Sequence, residues 1–264
     1  MNARLGIYLP RPAGVRFADR MAMIRDAGFG ATCLWWEDEH ESARRLRDLA
    51  PDIVRANGLL LDNIHVPYRA CNGLWSLNGA EREAAVAKHV SWVEDCARHD
   101  VSTMVMHATM GLEPPAVSEQ GVDSFRRIVG AGEALGVTIA VENTRSVGHL
   151  SVLFEAISST RLGLCFDTAH DRLYGSPPLS LLAAHGDRLV TTHFSDTDGK
   201  RDYHWVPGAG TTDFAAVMDA FPVGFSGPYL LEVVPKNREV TLDVFLGEAY
   251  SAGMDLLSFA GVAN

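Results

Sequence analysis

The chain has 264 residues, 47% of them hydrophobic, and it carries 23 Lys and Arg against 33 Asp and Glu, a net charge of −10. This length and apolar content predict one large core, a single α/β domain over residues 1–264. The acidic balance disfavours an extended polyanion such as nucleic acid as a partner, although it does not exclude one, and it leaves room for a small local anion site.

The cysteines lack CxxC spacing: they are Cys33, Cys71, Cys96 and Cys165. This pattern favours buried free thiols in a reducing cytoplasm over a disulfide framework. The chain enters a strand at once, and no apolar run approaches the roughly 20 residues of a membrane span. We therefore expect a cytoplasmic protein that uses no membrane, and the sequence leaves open whether it forms a homo-oligomer.

Apolar runs that predict strands alternate along the chain with segments whose apolar residues recur at helical spacing. Strands are predicted at 5–9, 31–36, 103–107, 137–142 and 228–233, with three more that end at positions 65, 167 and 193. Helices are predicted at 17–27, 81–99, 213–221 and 242–259, and around positions 46–54, 116–135, 150–157 and 179–182. Eight strand–helix pairs predict a (β/α)₈ TIM barrel. Two histidines of the third helix, His89 and His99, are expected on the surface.

Six of these strands end in a side chain that can bind a metal: His65, His107, Glu142, Asp167, His193 and Glu232. A closed parallel barrel brings the carboxyl ends of all its strands to one mouth, so these side chains should converge. Any one of them alone is more simply read as a salt-bridge or loop-capping residue. Together, the three carboxylates and the imidazole that end strands five to eight predict a site for a divalent cation: Mn²⁺, Mg²⁺, Co²⁺ or Zn²⁺.

The predicted mouth loops carry further polar and aromatic residues. His170, Asp202 and His204, like His65 and His107, are candidate additional metal ligands. Alternatively, His170 donates a hydrogen bond to the substrate, and His65 or His107 is a packed histidine paired with a backbone carbonyl. The pair Trp35-Trp36 is either a stacking platform for a sugar ring or an apolar lid, with Trp36 the expected substrate contact. Basic and acidic residues alternate in these loops, which favours a grip on one phosphate or carboxylate over a DNA-binding track. Arg145 and Arg201 are the arginines expected to contact substrate.

Four motifs occur in order near the strand ends. They are Val-Glu-Asn-Thr at 141–144, Cys-Phe-Asp-Thr-Ala-His at 165–170, His-Phe-Ser-Asp-Thr-Asp-Gly at 193–199 and Pro-Gly-Ala-Gly at 207–210. With these motifs the chain resembles the xylose isomerase-like TIM barrels over nearly its whole length. That group holds sugar and sugar-phosphate isomerases and epimerases together with the endonuclease IV family.

The resemblance to ketose 3-epimerases implies one bound metal, held by the residues matching Glu142, Asp167, His193 and Glu232. It implies that Glu142 and Glu232 also move the proton, through a metal-stabilised enediolate, and that His170 contacts substrate. The expected protein is therefore a divalent-metal-dependent enzyme that isomerises or epimerises a small sugar or sugar phosphate.

The resemblance to the endonuclease IV family implies a different enzyme, a zinc phosphodiesterase that cleaves DNA at abasic sites with three metal ions. All of its ligand positions find a match: His65, His107, Glu142, Asp167, His170, His193, Asp202, His204 and Glu232. The segment 207–210 lacks that family's acidic residue, which favours the isomerase. A third class is a binding barrel with a structural metal, but two strand-end glutamates exceed what such a site needs.

Overall fold

The computed structural model describes residues 2–9, 14–37, 41–237 and 239–259. Its eight strands form one parallel sheet in which consecutive strands pair from the first to the seventh, and the first also pairs with the eighth. The strands are β1 (Asn2–Tyr8), β2 (Phe29–Trp35), β3 (Leu60–His65), β4 (Thr103–His107), β5 (Thr138–Glu142), β6 (Leu162–Asp167), β7 (Leu189–His193) and β8 (Tyr229–Glu232).

Helices alternate with the strands in the described part of the chain. They are α1 (Phe17–Asp26), α2 (Glu41–Ala56), α3 (Gly79–Arg98), α4 (Glu119–Leu135), α5 (Val147–Ala156), α6 (Thr168–Tyr174), α7 (Ser180–His185), α8 (Phe214–Asp219) and α9 (Leu242–Phe259). The predicted (β/α)₈ TIM barrel is confirmed. None of these helices combines the length and apolar character needed to cross a bilayer.

The barrel closes between β7 and β8 at a single parallel bridge, Phe194 to Leu231. The Phe194 amide donates to the Leu230 carbonyl at 2.7 Å, and the Glu232 amide donates to the Phe194 carbonyl at 3.1 Å. Phe194 directly follows the last residue of β7. The closing bonds therefore lie at the carboxyl ends of the strands, where they fix the position of His193 relative to Glu232.

Burial on both faces explains why the strands read as apolar runs. All six residues of β6 are buried, including its terminal Asp167. The strands of a parallel barrel are covered by helices outside and by other strands' side chains inside, so a polar residue is tolerated mainly where a strand ends. The histidines of these strands, and all their acids except Asp62, are thereby concentrated at one mouth.

The helix after β6 differs from the prediction. α6 begins immediately at Thr168, whereas the sequence predicted only the later helix that forms α7. Asp167 caps α6, because its Oδ1 accepts a hydrogen bond from the His170 amide at 2.6 Å. A strand-ending acid that is also an N-cap starts the helix without a loop. His170 is thus held in the first turn, directly above the strand end.

His89 was predicted on the surface, and this prediction is wrong. The residue is fully buried on α3, where one ring nitrogen, Nδ1, lies 2.7 Å from the carbonyl oxygen of Ala85. Its ring packs edge-on against Trp92, with centroids 4.9 Å apart. Burial disfavours the charged imidazole and lowers the pKa of His89 to about 4.

Candidate metal centre

Nine polar side chains meet at the carboxyl end of the barrel. Six of them are the last residues of β3 to β8: His65, His107, Glu142, Asp167, His193 and Glu232. His170 comes from the first turn of α6, and Asp202 and His204 come from the segment between β7 and α8. The register of the sheet sets their heights, since His107 pairs with Glu142 and Asp167 pairs with His193.

The segment 194–212 is ordered by the fully buried carboxylate of Asp196. Its Oδ2 accepts hydrogen bonds from the Gly208 and Gly210 amides at 3.0 and 2.7 Å, and its Oδ1 accepts from Thr197 and Thr212 at 2.8 and 3.0 Å. A Cβ on Gly210 would lie 2.5 Å from Asp196 Oδ1, which explains the glycine. This arrangement fixes the base of the loop that carries Asp202 and His204.

The first ligand group consists of Glu142, Asp167, His193 and Glu232, whose ligand atoms all lie within 4.8 Å of one another. His193 Nδ1 is central, 3.2 Å from Glu142 Oε1 and 3.1 Å from Glu232 Oε2. Three carboxylates and one imidazole form an oxygen-rich set that suits a hard or borderline divalent cation.

The second and third groups flank the first. Glu142 Oε2 lies 3.0 Å from His65 Nε2 and 3.1 Å from His107 Nε2, so Glu142 belongs to both the first and the second group. On the other side, Asp202 Oδ2 lies 3.1 Å from His170 Nε2 and 3.2 Å from the Nε2 atom of His204. Two imidazoles and a carboxylate in each group make a set typical of zinc.

The charge state of the carboxylates follows from their neighbours. Burial disfavours ionisation of Glu142, but His193 and His107 outweigh it and hold the pKa of Glu142 well below its usual range. Burial is likewise opposed at Glu232, where His193 and His204 lower the pKa to about 2. At Asp167 burial prevails and raises the pKa to about 6. Both glutamates are therefore anionic at neutral pH.

The imidazoles respond in the opposite sense. Burial disfavours the charged form of His204, yet Glu232 and Asp202 overcome burial and raise its pKa to about 10. His193 is also buried, and Cys165, Glu232 and Glu142 raise its pKa well above the usual range. In the absence of a cation these carboxylates hold protons on the imidazoles. A divalent cation would replace those protons.

A second observation supports a cation in the first group. Asp167 Oδ2, His170 Nδ1 and His193 Nδ1 are buried and make no hydrogen bond of normal geometry with the described residues. Buried polar atoms in proteins almost always have a hydrogen-bond partner, so Asp167 Oδ2, which has none, calls for one. The two imidazole nitrogens contact carboxylates, but without hydrogen-bond geometry. A bound cation would supply that partner for the Asp167 and His193 atoms.

The structure exchanges the roles expected of the two adjacent tryptophans, Trp35 and Trp36. Trp36 is fully buried away from the mouth, where its Nε1 donates to Asp95 Oδ2 of α3 at 2.7 Å and the guanidinium of Arg47 lies 4.9 Å from its ring. This placement corrects the expectation that Trp36 contacts substrate. Trp35 faces the site instead, with its ring 5.1 Å from that of His65 and 5.5 Å from that of Tyr68.

The two arginines expected to contact substrate differ in position. Arg145 lies beside the site, with its guanidinium 4.6 Å from the centre of the Tyr174 ring. Arg201 is exposed; its backbone amide donates to Asp198, and its carbonyl accepts from the Thr197 hydroxyl.

Two further residues belong to the site. Tyr68 lies in the long loop after β3, which the sequence indicated as a cover over the mouth, and it stacks on His107 with centroids 4.9 Å apart. Cys165 lies with Glu142 and His193 in a group of candidate ligand atoms. The sequence could have predicted this position, because Cys165 stands two residues before Asp167 and therefore lies on the same face of the strand.

A family model for the xylose isomerase-like TIM barrel matches residues 21–257. The chain belongs to this family. Among curated proteins, this xylose isomerase-like barrel is 37% identical over 83 residues to an uncharacterized protein, y4fM, of Sinorhizobium fredii, covering 29% of the chain and 27% of that protein. It is 31% identical over 123 residues to a probable endonuclease 4 of Cenarchaeum symbiosum, covering 42% of each. The chain thus matches less than half the length of either relative.

Solved structures resemble the xylose isomerase-like barrel over almost its whole length. An L-ribulose 3-epimerase superposes with a TM-score of 0.78 at 16% identity, covering 98% of this chain and 95% of that one. A D-psicose 3-epimerase from Clostridium cellulolyticum H10, solved with D-tagatose, gives 0.72 at 15% identity, covering 94% and 93%. The superpositions establish a shared fold, and at identities this low they establish the fold alone.

Proposed function

We propose that the protein is a divalent-metal-dependent isomerase or epimerase of a small sugar or sugar phosphate. The observation that carries the proposal is the placement of two ionised glutamates about one imidazole. Glu142 Oε1 and Glu232 Oε2 lie 3.2 and 3.1 Å from His193 Nδ1, within one group of ligand atoms. The two carboxylates come from β5 and β8, which are separated around the barrel by β6 and β7.

This arrangement suits proton transfer next to a sugar carbonyl. A cation held by Glu142, Asp167, His193 and Glu232 supplies electrostatic stabilisation of the negative charge that develops on a substrate oxygen. One glutamate removes the proton from the adjacent carbon, and the other returns a proton to the opposite face, which inverts that carbon. The glutamate that removes the proton must be ionised, in agreement with the lowered pKa values of both. The glutamate that returns a proton must first take one up from solvent.

The relatives support the sugar as the substrate class. The superposable structures include an L-ribulose 3-epimerase and a D-psicose 3-epimerase solved with D-tagatose. Another was solved in the presence of D-fructose. Ketoses of this size are therefore the first compounds to assay.

The test is solvent exchange. Metal-loaded protein incubated in deuterated water with a panel of ketoses and their phosphates should place deuterium at the inverted carbon. Glu142→Gln and Glu232→Gln should each abolish turnover, because a neutral amide cannot accept the proton. Metal content is measured for both variants, since loss of the ion would mimic loss of the base. Glu113→Gln, the same change at an exposed residue of the β4–α4 loop, is the matched control.

Conversion without deuterium in the product would contradict two-base exchange and indicate hydride transfer or a shielded single base. Turnover that survives Glu232→Gln with full metal content would remove Glu232 from the mechanism.

A second candidate function is a zinc phosphodiesterase that acts at abasic sites in DNA. The observation that favours it is that the first, second and third ligand groups together hold nine side chains, with Glu142 common to the first and second groups. The similarity to a probable endonuclease 4 supports it over 123 residues. Metal analysis of protein purified without added metal separates the two candidates. One ion per chain favours the isomerase, whereas two or three zinc ions with cleavage of abasic DNA favour the phosphodiesterase.

A further inference from the structure

A cavity of about 250 Å³ opens beside the metal centre and is bordered by two of its imidazoles, those of His107 and His170. Tyr68 and Tyr174 line it, each next to one of these imidazoles: the ring centroids are 4.9 Å apart for Tyr68 and His107 and 6.1 Å apart for Tyr174 and His170. A molecule in this cavity therefore reaches the cation ligands directly. It can hold the part of a substrate that does not react.

The charge of the cavity is opposite to that of the protein. Arg145 lines it, and no carboxylate is among its lining residues in the described part of the chain. The net charge of the whole chain is −10, so a cavity with a cation and no acid stands out. Elsewhere in the described part of the chain several guanidiniums have an acidic partner, such as Arg127 with Glu83 at 2.6 Å.

Arg145 is oriented by an aromatic ring in place of an acid. Its guanidinium lies 4.6 Å from the centre of the Tyr174 ring, and its Nη2 lies 3.4 Å from the Tyr174 hydroxyl. The described residues provide no carboxylate within salt-bridge distance. A stacked guanidinium keeps its N–H edges available for two parallel hydrogen bonds to an oxyanion.

Thr144 provides a second hydrogen-bond donor at the cavity. Thr144, the residue before Arg145, lines the cavity with only 9% of its surface exposed, and its buried hydroxyl has no hydrogen-bond partner among the described residues. Buried hydroxyls are rarely left unpaired, because desolvation without a partner is costly. An oxyanion at Arg145 would accept this hydrogen bond as well.

The opposite wall is held in place before any ligand arrives. Asn72 clamps the β4–α4 loop, because its side-chain amide donates to the Met110 carbonyl at 3.1 Å and its Oδ1 accepts from the Met110 amide at 2.9 Å. Met110 and Leu112 of that loop line the cavity. A fixed wall lowers the entropic cost of binding.

We propose that this cavity binds an oxyanion of the substrate, a phosphate or a carboxylate, with Arg145 and Thr144 as its donors. The proposal rests on the proposed function and narrows it to acidic sugars. A neutral ketose would leave the guanidinium and the hydroxyl without a charged acceptor.

The experiment is calorimetric titration of metal-loaded protein with D-fructose, D-fructose 6-phosphate, D-glucuronate and inorganic phosphate. D-Fructose 6-phosphate or D-glucuronate should bind at least about tenfold more tightly than D-fructose, as expected for charge-assisted hydrogen bonds. The tighter of the two acids identifies phosphate or carboxylate as the anion. Arg145→Met should remove this preference, and Arg145→Lys should retain part of it. Arg126→Met removes the same charge on α4, where Arg126 bonds the Ala156 carbonyl, and should leave the preference intact.

The inference is overturned if neither acidic sugar binds more tightly than D-fructose, or if Arg145→Met leaves the preference unchanged while its melting temperature shows a folded protein. Failure of the proposed function gives a different result. Inorganic phosphate would then bind in an Arg145-dependent manner, although no sugar or sugar phosphate exchanges deuterium with solvent.

Discussion

His204 is the residue that best separates a one-ion site from a larger one. It lies 3.2 Å from Asp202 through Nε2, but its Nδ1 is 4.0 Å from Glu232 Oε2, outside the group that Glu232 forms with His193. His204→Ala should lower the metal content only if the third group binds an ion of its own. His185→Ala, a change on α7 outside the three groups, is the control. Unchanged metal content with weaker substrate binding would make His204 a substrate contact.

His89 gives a pH-dependent stability that does not involve the metal centre. Its pKa is lowered by burial from 6.5 to about 4, so between these values the unfolded chain binds a proton that the folded chain does not. The stabilising contribution of neutral His89 is therefore complete above about pH 6.5 and is lost as the pH falls towards 4.

The expected loss is at most roughly 3 kcal/mol, at 1.36 kcal/mol per pKa unit. His89→Gln keeps a donor for the Ala85 carbonyl and cannot titrate. Its unfolding free energy, measured by urea titration at pH 7 and pH 4.5, should fall less than that of the wild type. Equal losses in the two proteins would show that His89 titrates normally in the folded state.

The β7–α8 segment depends on one acid. Asp196 accepts four backbone N–H bonds, two on each oxygen. Asp196→Asn replaces one of those oxygens by an amide that cannot accept, which leaves two amides unpaired. We expect a loss of about 2–5 kcal/mol of unfolding free energy. Thermal melting measures the loss, and metal analysis should report weaker binding by the group that contains Asp202.

Asp198→Asn is the matched control in the same segment. Asp198 is partly exposed, and a single oxygen, Oδ1, accepts from both the Lys200 and Arg201 amides, so an asparagine can keep both bonds. Its melting temperature should stay unchanged. If the Asp196→Asn variant has the same melting temperature as the control, the Asp196 carboxylate does not organise the segment.

The elements show where sequence information was sufficient. Strand ends were predictable because an apolar run that stops at an acid or a histidine is a local signal, and β4 to β7 end where predicted, at His107, Glu142, Asp167 and His193. The face on which a residue lies at a strand end was not predictable. Trp35 and Trp36 are adjacent, and a one-residue shift of the strand end exchanges which of them faces the mouth.

Contacts between distant parts of the chain were also out of reach. The motif at 207–210 was recognised only as a resemblance, and its physical role appears when Gly208 and Gly210 are seen to approach Asp196. The cavity beside the metal centre joins Tyr68 on the β3–α3 loop, Arg145 on the β5–α5 loop and Tyr174 at the end of α6. No local pattern encodes such a meeting, because it depends on the closure of the whole barrel.

For the molecule as a whole, cation binding should stabilise the fold. Glu142, Asp167 and Glu232 gather three carboxylates at one mouth, and an ion that binds only the folded chain shifts unfolding by mass action. At free ion a thousandfold above Kd the gain is about 4 kcal/mol, and chelation should lower the melting temperature by roughly 8–16 °C.

Scanning calorimetry before and after dialysis against a chelator measures this shift, and restoring the ion should reverse it. If exhaustive chelation changes neither melting nor any measured activity, the four strand-end residues do not form a cation site.

Because Glu142 belongs to both the first and the second ligand group, metal binding in one group affects metal binding in the other. Its Oε2 faces His65 and His107, whereas its Oε1 faces His193, so an ion in the first group and an ion in the second would both have Glu142 as a ligand. Their affinities are then thermodynamically linked, and each ion changes the affinity for the other by the same factor. Metal titrations of such a pair do not follow independent sites. Order of addition leaves the final state unchanged, yet a substitution at His65 alters the affinity measured at His193.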